Sequence, residues 1–198
     1  MKKHTLLLLA LLIAFVAHAQ DKPKGLNVGD KAPAFTAKDQ DGKKVKLKSL
    51  LKEGPVVLFF YRGAWCPYCQ KQVAELQDSL SLITAKGASV VAVTPSGAES
   101  VDEMDSKQNV SFHILHDKGH KIMDAYDVTF GVDKKTQERY KGYGIDFNKV
   151  NGAETGANLP VPATYIIGQD GDISFRFFDP NYTKRVTVKE LLKNLPSK

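Results

Sequence analysis

Two uninterrupted apolar runs, PVVLFFY at residues 55–61 and SVVAV at 89–93, constrain this chain more than any other feature. A strand with one wet face alternates apolar and polar side chains; a run without alternation reads as a strand covered on both faces. Between the two, Val73, Leu76, Leu80 and Ile83 recur at helical spacing as far as Lys86-Gly87, where glycine ends the helix. Strand, crossover helix and strand make a βαβ unit, so an α/β protein with parallel neighbours in its sheet is predicted. The turn from the first strand into the helix reads RGAWCPYCQ and holds both cysteines of the chain, Cys66 and Cys69.

The remaining segments are arranged around that unit. Two short strands over 34–37 and 44–47 flank the Asp41-Gly42 turn and form an N-terminal β extension. A polar helix is predicted over 98–108, a strand over 112–115 and a short helix over 118–126. Residues 127–159 carry glycines and charges with little periodicity and read as a long insertion, which in a compact domain is usually functional. Residues 160–167 form a strand that turns at Gln169-Asp170-Gly171 into a second strand over 173–178. A helix over 188–195 closes the chain.

The first twenty residues, MKKHTLLLLALLIAFVAHAQ, have a basic start (Lys2, Lys3), an apolar run from 6 to 17 and an Ala17-His18-Ala19 end. That is the layout of a secretory signal peptide, and the run falls short of the roughly 20 residues a membrane span needs. Residues 1–19 are expected to be removed on export, to the periplasm if the host is Gram-negative. One domain over 20–198 remains, with no stable membrane insertion. Losing Lys2 and Lys3 lowers the formal charge of +6 by two. The densest basic run, KDQDGKKVKLK, is interleaved with acids, so no nucleic-acid surface is expected.

A structural disulfide stabilises by closing a loop in the unfolded chain, and the gain grows with loop size. Two intervening residues close almost nothing, so the pair points to chemistry. Cys66 is predicted at the helix N-terminus, where unpaired N–H groups and the helix dipole favour a thiolate. Pro67 suits the first helical turn. Cys69, one turn in, is expected to be the more shielded thiol, at a spacing that permits a redox-active Cys66–Cys69 disulfide. Cys66 is thus the expected nucleophile and Cys69 the resolving thiol. The rival for a CxxC pair is a metal site, with His113, His116 and His120 loosely clustered in FHILHDKGH. Zinc would need two further ligands positioned by the fold, and the histidines read as solvated surface, so no metal is expected.

The W-C-x-x-C turn, followed by V-P-A-T-Y at 161–165, resembles the thioredoxin superfamily. More closely, VGDKAPAFTAKDQDGKKVKL, FFYRGAWCPYCQKQVAEL, LPVPATYIIGQDGDISF and FFDPNYTKR resemble the redoxin, or AhpC/TSA, family in its peroxiredoxin-like subgroup. These stretches lie within about residues 28–185. The resemblance implies a thioredoxin-like fold, with a central mixed sheet flanked by helices and the long insertion ahead of a cis-proline strand. It makes Val161-Pro162 the cis-proline turn that, with Trp65, positions substrate beside Cys66. It also implies a comparison with true peroxiredoxins. Their peroxidatic cysteine follows a threonine by three residues and a proline by seven, and meets an arginine from a later strand. Those positions here are Gly63, Phe59 and Pro162, leaving Arg62 and Arg176 as candidate replacements for the arginine. Pro67-Tyr68 is the intervening pair of glutaredoxins and implies a poise less reducing than thioredoxin, roughly −200 to −230 mV.

The leading expectation is an exported thiol-disulfide oxidoreductase that exchanges disulfides through Cys66 and Cys69. The alternative is a peroxide reductase recycled by a thioredoxin-like donor, and a third reading is a non-catalytic metal-carrying or binding module. The expected partners are protein or small-molecule disulfides, peroxides under the alternative, and an external thiol donor. No cofactor is expected.

Overall fold

The computed structural model describes residues 22–196, so the expected leader lies outside the described residues. At the centre is a five-stranded sheet in the order β5-β4-β3-β8-β9. It comprises β3 (Val56–Phe60), β4 (Ser89–Thr94), β5 (His113–His116), β8 (Ala163–Ile167) and β9 (Ile173–Phe178). The first three are mutually parallel, while β8 runs antiparallel to both β3 and β9. The mixed sheet agrees with the expected thioredoxin-like plan.

Every residue of β3 is fully buried, and successive side chains serve opposite faces, as the strand period demands. Val57 and Phe59 pack with Val73, Leu76, Ile83, Met104 and Leu191 on one face. Val56, Leu58 and Phe60 pack with Val45, Leu47, Met123 and Tyr126 on the other. The first face is covered by α2 (Pro67–Asp78), α3 (Leu80–Ala85), α4 (Ala98–Gln108) and α8 (Val188–Asn194). The second is covered by α1 (Leu47–Glu53), α5 (Lys121–Ala125) and the hairpin of β1 (Thr36–Lys38) and β2 (Lys44–Lys46).

Three expectations are corrected. The helix over 67–86 is two helices, α2 and α3, divided at Ser79, whose ψ of 7° leaves the helical path. Residues 127–159 are not irregular: β6 (Thr129–Gly131), α6 (Lys134–Gly142), α7 (Phe147–Val150) and β7 (Asn158–Pro160) form a small subassembly, with β6 and β7 paired. And the Val161–Pro162 bond is trans, as are all peptide bonds among the described residues. The reason is local. The Val161 N–H donates to the Val128 carbonyl (2.8 Å) and the Pro162 carbonyl accepts from Asp179 (3.3 Å), so the segment runs extended from β7 into β8.

Candidate active site

Beyond Phe60 the chain leaves the sheet at its carboxyl edge, the place where parallel strands deliver reactive groups. The Tyr61 N–H still reaches the Val93 carbonyl (3.0 Å), and the turn then closes with the Cys66 N–H on the Gly63 carbonyl (3.2 Å). Gly63 has φ +150°, a conformation open to glycine. Cys66 is the N-cap of α2, with extended φ and ψ, and Pro67 opens the helix as expected. The Cys66 carbonyl accepts from the N–H groups of Cys69 (2.9 Å) and Gln70 (3.0 Å), and the Gln70 side-chain amide donates back to the Ala64 carbonyl.

Both cysteines are free thiols without exposed surface; Cys69 is the more deeply buried, as expected, but Cys66 is not exposed either. The contrast is electrostatic. The neighbouring Cys69 thiol favours the Cys66 anion, and the Arg62 guanidinium lies beside Cys66 with Nη2 3.4 Å from its Sγ. Together with the Cys69 backbone N–H they outweigh burial and lower the Cys66 thiol to about 5. Burial, and then the Cys66 sulfur, push Cys69 the other way; Arg185, with Nη2 3.6 Å from Cys69 Sγ, opposes them. One negative charge is therefore shared unevenly, with Cys66 the thiolate and Cys69 its protonated neighbour.

Arg62 is itself only 5% exposed. Buried cations are rare without an anion, and no carboxylate pairs with this one among the described residues. The guanidinium is held between the rings of Trp65 (5.0 Å) and Tyr182 (4.1 Å) and donates to the Tyr140 hydroxyl (3.4 Å). Two buried donors of this turn, Arg62 Nε and Trp65 Nε1, have no partner.

The insertion reaches the turn through aromatic contacts. Trp65 meets Tyr140 and Phe147 edge-on, with centroids 5.3 and 5.8 Å away. Ser96, fully buried, donates to the Arg62 carbonyl (3.4 Å) and lies 3.5 Å from the Asn151 amide oxygen. Trp65 thus packs between the cysteine turn and the insertion. Of the other expected positioning residues, Val161 and Pro162 immediately precede β8, whose first residue Ala163 pairs with Phe60 at the cysteine end of the sheet, and the Val161 N–H and Pro162 carbonyl are already paired.

Arg62 is the candidate arginine that reaches the sulfur. Arg176 does not: its guanidinium donates to the Lys24 carbonyl and lies over Phe178. Arg185 was given no role in the sequence, although it stands in the quoted stretch FFDPNYTKR. His113 pairs with Asp39 (2.8 Å) and His120 with Asp124 (2.8 Å). All three histidines are half-buried and not fully solvated. No cluster of metal-ligating side chains occurs among the described residues.

Comparison with known proteins identifies the family. The family described as AhpC/TSA matches residues 28–176. A chloroplastic peroxiredoxin Q of Populus jackii is 37% identical over 172 residues, covering 87% of this chain and 69% of its own. A chloroplastic peroxiredoxin Q of Oryza sativa subsp. japonica is 29% identical over 169 residues; the chain spans 66% of its length, just under two thirds. Among solved structures, peroxidoxin BcpB of Mycobacterium tuberculosis superposes with a TM-score of 0.67 at 20% identity, over 86% of this chain and 96% of that one. A Xylella fastidiosa PrxQ variant gives 0.67 at 18%, over 87% and 96%. At such identities the two structures establish the thioredoxin-like fold.

Proposed function

The chain belongs to the AhpC/TSA family, and from that premise we propose that it is a thiol peroxidase, with Cys66 the peroxide-reactive thiolate and Cys69 the resolving thiol. This replaces disulfide exchange as the leading reading. The observation that carries it is a Cys66 sulfur that is fully buried yet held as an anion by a buried arginine. A protein disulfide would have to reach a sulfur with no exposed surface. It would also dock on a segment whose Val161 N–H is already bonded to Val128. A hydroperoxide is small enough to enter by local motion of the covering side chains.

In the proposed reaction the Cys66 thiolate attacks the terminal peroxide oxygen, the O–O bond breaks and the leaving oxygen departs as an alcohol or water after gaining a proton. Cys66 becomes a sulfenic acid, oxidised by two electrons. Arg62 stabilises the thiolate before attack, and the unpartnered N–H groups of Arg62 and Trp65 are donors of the type that stabilise a developing oxyanion. Cys69 then forms the disulfide with loss of water, and an external thiol donor of the thioredoxin kind returns both sulfurs to thiols. Residues 1–19 fit a leader removed on export, giving a mature start at or near Gln20; mass spectrometry of the exported protein finding Met1 intact would contradict that removal.

The direct test uses Cys69→Ser, which leaves the first product unresolved. Treated with a hydroperoxide and then with a sulfenate-specific dione, it should carry the adduct on Cys66. No adduct, with Cys66 still reactive toward a small disulfide, would return the reading to disulfide exchange.

A further inference from the structure

The site holds two arginines, and the reaction as proposed uses only Arg62. Arg185 lies on the loop between β9 and α8, far from the cysteines in sequence, yet its Nη2 is 3.6 Å from Cys69 Sγ. Its other donors are committed. Nε–H goes to the Gln72 amide oxygen (2.8 Å), and Nη1 donates to the carbonyls of Tyr182 (2.5 Å) and Lys184 (2.6 Å). Gln72 is 4% exposed and stands on α2, one turn beyond Cys69. The loop is itself fixed. Asp179 accepts from the Asn181 N–H (2.8 Å), Asn181 accepts from the Thr183 hydroxyl (2.7 Å), and Val186 enters the core that holds both cysteines. With three of its five N–H donors satisfied the guanidinium is oriented, and Nη2, the nitrogen left over, faces a sulfur.

We propose that Arg185 is the catalytic cation of the second step, activating Cys69 for attack once Cys66 has been oxidised, as Arg62 activates Cys66 in the first. This rests on the reading of Cys66 as the first thiol to react. In the reduced protein the Cys66 thiolate suppresses ionisation of Cys69, together with burial. Oxidation makes Cys66 neutral, so the repulsion ends while the pull of Arg185 stays. The charged and titratable groups facing Cys69 are Cys66 on its own turn, Arg62 before it, Tyr61 at the end of β3 and Arg185 across the loop. Tyr61 is fully buried, and burial pushes its hydroxyl above the usual tyrosine range. Arg62 and Arg185 are thus the two cations in the set. In the step itself Cys69 gives up its proton and its sulfur bonds to the Cys66 sulfur as the S–O bond breaks. The oxygen leaves as water with that proton. Cys69 is oxidised and the sulfur of the sulfenic acid reduced, and no outside electrons are needed.

The two steps can be separated by quenching a single turnover with hydrogen peroxide and resolving dithiol, sulfenate and disulfide by mass. In Arg185→Gln the conversion of sulfenate to disulfide should slow about 10- to 100-fold, the scale of a lost charge-assisted hydrogen bond. The midpoint of its pH profile should move upward, while sulfenate formation changes far less. Arg185→Lys should recover part of the rate, and Gln72→Leu, which frees the guanidinium without removing it, should slow the same step more mildly. A second step unchanged in rate and pH profile would overturn the proposal, as would equal slowing of both steps, the mark of a merely loosened turn. If the wild type forms no sulfenate, it is the peroxide reading that fails. The same variants are then compared with dipyridyl disulfide. Its second released pyridinethione reports attack of Cys69 on a Cys66 mixed disulfide, so an unchanged second release still refutes the role of Arg185 and a slowed one supports it.

Discussion

Cys66 and Cys69 sit one helical turn apart, both without exposed surface, each within reach of an arginine, yet they are held in opposite protonation states. The difference begins in the backbone. Cys66 is the N-cap, outside the helix at the positive end of its dipole, whereas Cys69 lies one turn inside it. It continues in the side chains, since the Cys69 thiol favours an anion at Cys66 and the more deeply buried arginine lies beside Cys66. Burial alone makes thiols harder to ionise. What decides which thiol becomes nucleophilic is the direction in which the surrounding donors point.

The comparison can be broken most severely at Arg62. Arg62→Gln removes the cation beside Cys66 and should slow its oxidation on the order of 100-fold, as loss of one preorganised donor does. The pH profile of alkylation should move up with it. Cys66 and Cys69 labelled at similar rates in that variant would be the expected sign that the asymmetry is gone. An unshifted profile would mean that the helix terminus alone maintains it.

A second test enters through Gly63, where true peroxiredoxins carry threonine. Sequence comparison suggests that Gly63→Thr would restore peroxide turnover; the structure leads to the opposite expectation. A Cβ there would meet Trp65 Nε1 and lie 2.7 Å from Ser96 Oγ, on a backbone with φ +150°. The variant should lose roughly 1–3 kcal/mol of stability to backbone strain, with the clash adding to it, read by denaturant unfolding of the reduced protein. Pairing it with Trp65→Ala should recover only part. Full stability and higher turnover in the single variant would show that the turn is softer than its geometry implies.

The charge on Cys66 should also register in stability. Its folded value, about 5, is depressed below the roughly 8.5 of an unfolded cysteine, so its contribution is fully present above the unfolded value and lost as pH falls through the folded one. The melting temperature of reduced wild type relative to Cys66→Ser should therefore rise between pH 5 and about 8.5. A pH-independent difference would contradict the assigned thiolate. The smallest effect is expected at Tyr182, whose ring lies over Arg62. Tyr182→Leu should cost about 0.5–2 kcal/mol in the first step, since one face of the cation is uncovered.

How much of this was readable depended on how local each signal was. β3 and β4 announced themselves because burial on both faces leaves no polar residue in the run, and the cysteine turn followed from its place between strand and helix. The helix α6 was missed because KKTQERYKG is polar nearly all round. It has no apolar period, and its N-terminal signal is the Asp133 cap, whose carboxylate accepts from the Thr136 N–H (2.9 Å). Pro162 was misjudged because family likeness fixed its position but not its peptide isomer, which here follows from hydrogen bonds to Val128 and Asp179. Arg185 stands in a stretch that carries the family likeness, but its contact with Cys69 spans 116 residues and could not be read from it. Gly63 was read as a missing threonine, when it is the space taken by Trp65.

The central claim is that Cys66 is a buried thiolate built for a small oxidant. Its most direct test is the pair of second-order rate constants of the reduced wild type, near neutral pH, for hydrogen peroxide and for a protein disulfide. The account expects peroxide to react far faster than it does with an unassisted thiolate, the protein disulfide to react orders of magnitude more slowly than peroxide, and Arg62→Gln to erase most of the peroxide rate. A peroxide rate no better than a free thiolate, with the protein disulfide exchanging faster, would contradict it.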